Sequence, residues 1–154
     1  MVTNSETWIN ITKKDLEDLE KPDIMLQRKI LSNSGNPSKC FMQLELGLIP
    51  LKYIMIQKRM NFLNYILNES TDSMIHKVYI ALREDSHKGD FKALTDKDRK
   101  DLEINLTDEE VKHIPKVSWK KFIKEKVTLA ALNYLSEENN SKEKTKPIKF
   151  DELK

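Results

Sequence analysis

Glycine is scarce in this chain, with only three among 154 residues, and each of them stands alone in the sequence. The phosphate-binding loops of nucleotide-binding enzymes need several clustered glycines, so that route to nucleotide binding is excluded. Hydrophobic residues make up 38% of the chain and charged residues 34%, a balance that suits amphipathic helices better than a turn-rich sheet. The composition therefore predicts an all-α protein.

Cysteine and histidine are also rare, with one Cys40 and three histidines that lie far apart in the sequence. A single cysteine cannot form an internal disulfide, and a zinc site needs about four Cys, His or carboxylate ligands at characteristic spacing. A lone cysteine in an apolar helical segment is typical of a small core residue. We therefore assign no catalytic residue, no metal ligand and no cofactor.

Long hydrophobic runs are missing as well, since no stretch approaches the roughly 20 apolar residues that a membrane span needs. The N-terminal residues do not resemble a signal peptide. From these absences and from the cysteine content we expect an intracellular protein, cytoplasmic or nuclear, with no membrane partner.

The length of 154 residues is that of one ordinary domain. We expect residues 1–136 to form a compact helical domain of about six to seven helices. The run SEENNSKEKTKP, which begins at Ser136, has no apolar residue, so residues 137–154 are expected to form a polar, disordered tail.

Capping signals and breakers set the expected helices. Thr12 and Thr107 can each cap a helix, and Thr107 with Glu110 forms an S/T-x-x-E capping box. Gly47 and Pro50 offer a stop and a restart. The expected helices cover residues 15–21 and 23–31, as two pieces or as one helix kinked at Pro22, then 37–46, 50–68, about 73–82, 91–102, 107–114 and a last helix capped by Ser118.

Apolar spacing predicts which faces are buried. Ile24, Met25, Ile30 and Leu31 are expected to face inward from the first helical region. The helix with Met74, Ile75, Val78, Tyr79 and Leu82 is expected in the core, and the polar helix 91–102 on the surface. The inward face of the last helix is expected to hold Trp119, Phe122, Val127, Ala130, Ala131, Tyr134 and Leu135.

Charge is unevenly distributed, although the net charge is only +2. Residues 89–111 hold four basic and eight acidic side chains, whereas residues 112–126 hold six lysines and only Glu125 as an acid. A lysine-dense helix attracts phosphate backbones, but it is also common as a purely solvated face, and both interpretations stay open at this point.

A resemblance to a known family rests on several short strings. The most specific is Leu-Glu-Leu-Gly-x-x-Pro at residues 44–50, followed by an apolar helix that carries Lys58-Arg59. Weaker markers lie at residues 6–8, 10–12, 25–30, 88–90, 100–102 and 119–122. From about Glu6 to Leu135, the chain resembles the C-terminal, thumb and post-thumb region of reverse transcriptases of non-LTR (LINE-type) retrotransposons.

The resemblance implies an all-helical module that holds RNA or a primer-template duplex by its phosphates. The implied contacts are Lys52, Lys58, Arg59, Lys120, Lys121 and Lys124. The family's Tyr/Phe-x-Asp-Asp palm motif is absent, because the chain contains no Asp-Asp pair, and a downstream Cys/His knuckle is absent too. The resemblance therefore implies a non-catalytic module and not a polymerase.

Two other hypotheses come from different classes of protein. One is a helical protein-interaction or structural domain without nucleic-acid binding, with a protein partner at an apolar face left exposed where a palm domain would pack. The other is an enzyme built around Cys40 or the paired carboxylates, which no constellation of residues supports.

Overall fold

A computed structural model describes residues 11–31, 37–84, 87 and 89–143. Within these residues the chain forms seven helices and no strand, which confirms the predicted all-α class and number of helices. The helices are α1 (Lys13–Ile30), α2 (Lys39–Glu45), α3 (Leu51–Asn68), α4 (Met74–Glu84), α5 (Phe91–Asp101), α6 (Asp108–His113) and α7 (Lys116–Glu143).

Two helices begin with complete capping boxes. At α6, the Thr107 hydroxyl accepts a hydrogen bond from Glu110 N, and Glu110 Oε2 accepts one from Thr107 N at 2.7 Å. The same reciprocal arrangement joins Thr12 and Asp15 at the start of α1. Both start signals read from the sequence are confirmed, since each satisfies amides that a helix leaves unpaired.

Two helices end in Schellman motifs, where the residue after the C-cap adopts a left-handed conformation. After α2, Gly47 has a φ of +62°, and Leu48 N donates to Gln43 O at 2.8 Å. After α5, Glu103 takes the same role with a φ of +53°, and Ile104 N donates to Arg99 O at 2.8 Å. Glycine suits this conformation, whereas Glu103 adopts it at a steric cost.

The core lies where α3 packs against α7. Trp119 is fully buried, and its indole Nε1 donates to Met60 O at 2.9 Å. Further along, the ring of Tyr53 lies 6.0 Å from that of Tyr134, so the two helices run antiparallel. The predicted inward face of α7 is confirmed at Trp119, Val127, Ala131 and Leu135, and it also includes Ile123, while Tyr134 is partly exposed.

Two expected boundaries are wrong, both of them in α7. α1 is one helix that passes through Pro22, which was one of the two alternatives expected, whereas α7 begins at Lys116 and not at Ser118. α7 also continues to Glu143, past the boundary expected at residue 136, because extending a packed helix needs no new nucleation step. The rest of the expected tail lies outside the described residues.

Some expected faces are also wrong. Met25 and Ile30 of α1 are exposed, whereas the polar Glu20 and Gln27 are buried. Met74 and Val78 of α4 are exposed, although Tyr79 is buried as expected.

The helix expected on the surface, α5, buries Phe91, Thr95 and Asp98. Sequence periodicity finds an apolar stripe, but the neighbouring helices decide which stripe is covered. One side of α5, including two of its polar residues, is therefore buried inside the protein.

Among the helices in the described part of the chain, none combines the length and hydrophobicity needed to cross a lipid bilayer.

Candidate nucleic-acid interface

The predicted basic surface of α7 is present in the structure. Lys120, Lys121 and Lys124 are all exposed, on the side of the helix away from the buried Trp119 and Ile123. Because the indole of Trp119 is packed and hydrogen-bonded to α3, the backbone that carries these lysines is firmly held. The three predicted residues thus belong to one surface on a well-anchored helix.

Two further exposed lysines extend this surface toward the N-terminus. Lys116 precedes Lys120 and Lys124 at intervals of four residues, and Lys112 lies on α6 just before the turn at Pro115. Lys116, Lys120 and Lys124 therefore follow one another at about 6 Å along the helix axis. We call Lys112, Lys116, Lys120, Lys121 and Lys124 the lysine face.

The lysine face is electrostatically unsatisfied. None of its five members forms an ion pair with a described residue, although Lys13, Lys21, Lys39, Lys77 and Lys92 elsewhere do. Glu125 is the one acid in residues 112–126. A positive surface without internal partners is one that attracts external anions.

The predicted contacts on α3 do not join the lysine face. The Lys52 ammonium lies over the rings of Tyr53 and Tyr134, 5.1 and 5.9 Å from their centroids. Tyr134 is 10 to 14 residues beyond the three predicted lysines of α7, which places Lys52 about 15 to 21 Å from them along the helix axis. Lys58 is half-buried and lines a groove between α1 and α3.

Arg59 has a structural partner inside the protein. Its Nε and Nη2 donate to the two carboxylate oxygens of Asp98 at 2.7 and 3.0 Å, and both residues are buried. Burial raises the pKa of Asp98, and the hydrogen bonds from Arg59 oppose that shift. The guanidinium could contact a phosphate only by giving up this ion pair, so we leave Arg59 out of the candidate interface.

A second polar cluster, which sequence reasoning missed, joins α4, α5 and α6 at Asp108. Its carboxylate accepts hydrogen bonds from Tyr79 Oη at 2.9 Å and from Arg99 Nη2 at 2.6 Å. Arg83 lies 3.7 Å from the same carboxylate. Asp108 is the first residue of α6, and the only signal in the sequence was its place inside the capping box.

The protonation states in this cluster follow from its contacts. Burial alone would raise the pKa of Asp108, but the hydrogen bonds from Arg99 and Tyr79 outweigh it and lower the pKa below its ordinary value. Burial, together with the adjacent Asp108 charge, raises the pKa of Tyr79. Tyr79 therefore stays a neutral hydrogen-bond donor, and the cluster serves to hold three helices together.

Metal-ligating side chains do not converge in the described ranges. No group of three or more His, Cys, Asp or Glu side chains there is placed to hold a metal ion. Cys40, considered in one of the sequence hypotheses, is buried on α2. Of the functional features predicted from the sequence, the lysine face is therefore the best candidate that the described residues offer.

No family model matches the chain, and neither the curated proteins nor the solved structures yielded a similar protein. The resemblance to reverse transcriptases therefore rests on short strings of sequence alone.

Proposed function

We propose that the chain is a non-catalytic helical module that binds the phosphate backbone of RNA or DNA through its lysine face. The observation that carries this proposal is the set of five exposed lysines on α6 and α7 without an ion-pair partner among the described residues. Closely spaced ammonium groups on one side of a packed helix can neutralise neighbouring phosphates and release counterions. Lysine acts as a point charge, so binding is expected without base readout.

The resemblance to the C-terminal region of LINE-type reverse transcriptases supports the same proposal, because such a region is expected to hold nucleic acid beside a polymerase. Its marker at residues 119–122 includes Lys120 and Lys121, which belong to the lysine face. The ancestry can be tested in the genome: DNA encoding a polymerase palm in frame just upstream is the expected finding.

The proposed function is tested by binding assays on the full chain. Fluorescence anisotropy with a labelled single-stranded RNA and a labelled DNA duplex would be measured from about 50 to 200 mM salt. Each phosphate contact contributes about 0.7 to 0.9 to the salt slope, so Lys120→Gln/Lys121→Gln/Lys124→Gln should lower the slope by roughly 2 to 3.

The matched control replaces Lys14, Lys97 and Lys100 by Gln. These lysines are also exposed and without an ion pair among the described residues, but they lie on α1 and α5. The control removes the same net charge and should leave the slope unchanged. Equal effects of the two triple variants, or no binding at the lowest salt, would overturn the proposal.

A further inference from the structure

A groove of about 600 Å³ lies between α1, the segment joining α2 to α3, and α3 itself. Leu26 and Ile30 of α1 form one wall, and Leu48 and Ile54 form the other. The groove shares no residue with the lysine face, so a ligand bound in it would be independent of the proposed function.

The α1 wall carries a regular seam. Asp23, Leu26 and Ile30 line the groove at intervals of three and four residues, the a/d spacing by which helices pair. Leu19, which does not line the groove itself, continues this spacing four residues before Asp23. Leu19, Leu26 and Ile30 are 42%, 57% and 59% exposed, although they are large and apolar. A pairing seam that is left open in this way predicts a second helix packed against it.

The lining of the groove contains an unsatisfied polar group. Gln27 is 5% exposed and lines the groove, yet its Oε1 has no hydrogen-bond partner among the described residues. A buried acceptor without a partner costs about 1 to 3 kcal/mol. Rotation of the amide about its terminal torsion, which is soft, would turn this oxygen toward a donor placed in the groove.

The charge on the seam restricts the partner. Asp23 lines the groove, is exposed and forms no ion pair with a described residue. In a parallel pair of identical helices, Asp23 would face its own copy, and such like-charge contacts are unfavourable. A partner that places Lys or Arg opposite Asp23, on the α1 side of the groove and away from the Lys58 that lines the α3 side, would gain an ion pair instead.

We propose that this groove binds an amphipathic helix of another protein. The partner helix presents apolar residues with a/d spacing to Leu26 and Ile30, and it presents a Lys or Arg to Asp23. A polar donor on the same helix reaches Gln27. This is the helix-in-groove mode of recognition, in which a few apolar anchors supply affinity and one charge supplies register and specificity.

The test uses two designed, fluorescein-labelled helical peptides that are identical in their apolar a/d residues. One carries Lys at the central seam position, and the other carries Glu there. The full chain should bind the Lys peptide at least about tenfold more tightly than the Glu peptide, because only the Lys peptide pairs with Asp23. Asp23→Lys should reverse this preference.

Leu26→Glu and its neighbour Met25→Glu form a matched pair of variants. Both positions are exposed and apolar, so both variants should keep the helical circular dichroism spectrum, but Met25 lies on another side of α1 and does not line the groove. Leu26→Glu should weaken binding of the Lys peptide by about tenfold or more, and Met25→Glu should not.

Three results would overturn the proposal. The first is no binding of either peptide at millimolar concentration. The second is a peptide preference that Asp23→Lys leaves unchanged. The third is self-association of the wild-type chain in sedimentation that Leu26→Glu abolishes, which would assign the groove to a second copy of this chain.

Discussion

Arg59 on α3 and Asp98 on α5 form a two-point ion pair, with Nε–Oδ2 and Nη2–Oδ1 distances of 2.7 and 3.0 Å. Their side chains are only 11% and 4% exposed. Removing two charges from water is costly, and burial raises the pKa of Asp98 although the hydrogen bonds from Arg59 oppose that shift. Losing one partner should therefore lower the free energy of unfolding more than replacing both partners by apolar residues.

Breaking this pair from one side is expected to be far more harmful than replacing both sides. Arg59→Met should lower the free energy of unfolding by about 3 to 5 kcal/mol, because it leaves the Asp98 carboxylate buried and unpaired. Arg59→Met/Asp98→Leu should recover most of that loss. Urea unfolding of the two single variants and the double variant measures the coupling, and strictly additive effects would contradict the prediction.

Stability at acid pH is expected to depend on Asp108. The folded pKa of this residue lies below the ordinary value of 3.8, so its contribution is complete above about pH 4 and is lost as the pH falls through the folded pKa. Asp108→Asn should be less stable at pH 7 by about 1 to 3 kcal/mol, and the difference from wild type should narrow below about pH 4.

Urea unfolding between pH 3 and pH 7 checks the pH prediction. The control is Glu109→Gln on the next residue, which removes an exposed carboxylate from the same helical turn. Its effect should stay within about 1 kcal/mol. If the free energy of unfolding of Asp108→Asn differs from that of the wild type by the same amount across the pH range, Asp108 acts by packing alone.

The two Schellman motifs should respond to substitution with opposite signs. Gly47→Ala should be destabilising by about 1 kcal/mol, purely through the backbone, since beyond the two adjacent residues no atom of the described chain lies within 4 Å of the added Cβ. Glu103→Gly should be neutral or stabilising by up to about 1 kcal/mol, because glycine removes the steric cost of the left-handed conformation. Chemical denaturation of both variants is the measurement, and a clear loss of stability in Glu103→Gly would contradict the prediction.

Trp119 should be the most sensitive position in α7. Trp119→Ala is expected to lose about 3 to 5 kcal/mol, because it opens a cavity against α3 and removes the donor to Met60 O. Val117→Ala, two residues earlier on the exposed side of the helix, should change stability by less than about 0.5 kcal/mol. Thermal and urea unfolding compare the two, and similar effects would mean that α7 packs differently.

Local signals in the sequence predicted the helices well. The capping box at Thr107, the stop at Gly47 and the restart at Pro50 each act within one turn, so they are readable without any neighbour. The lysine content of residues 112–126 likewise predicted a basic surface, and the structure leaves Lys120, Lys121 and Lys124 exposed as expected. Whether that surface binds nucleic acid stays a prediction.

The roles of individual side chains were less predictable. Arg59 looked like a surface cation, but Asp98, which lies 39 residues away in the sequence, pairs with it in the interior. Asp108, Tyr79 and Arg99 gave no sign of forming one cluster. Such contacts depend on how three helices pack against one another. No local pattern in a single sequence indicates which distant residues this packing brings together.

The sequence by itself determined an all-α chain, the start and end of most helices and a basic segment, because hydrophobic spacing and capping act over a few residues. Only the tertiary structure decided that Gln27 and Glu20 are buried while Leu26 and Ile30 remain exposed. The physical reason is that a side chain is buried only where a second surface packs against it. An amphipathic helix offers a stripe, but the neighbouring helices decide which side of that helix is covered and which side is left for a partner.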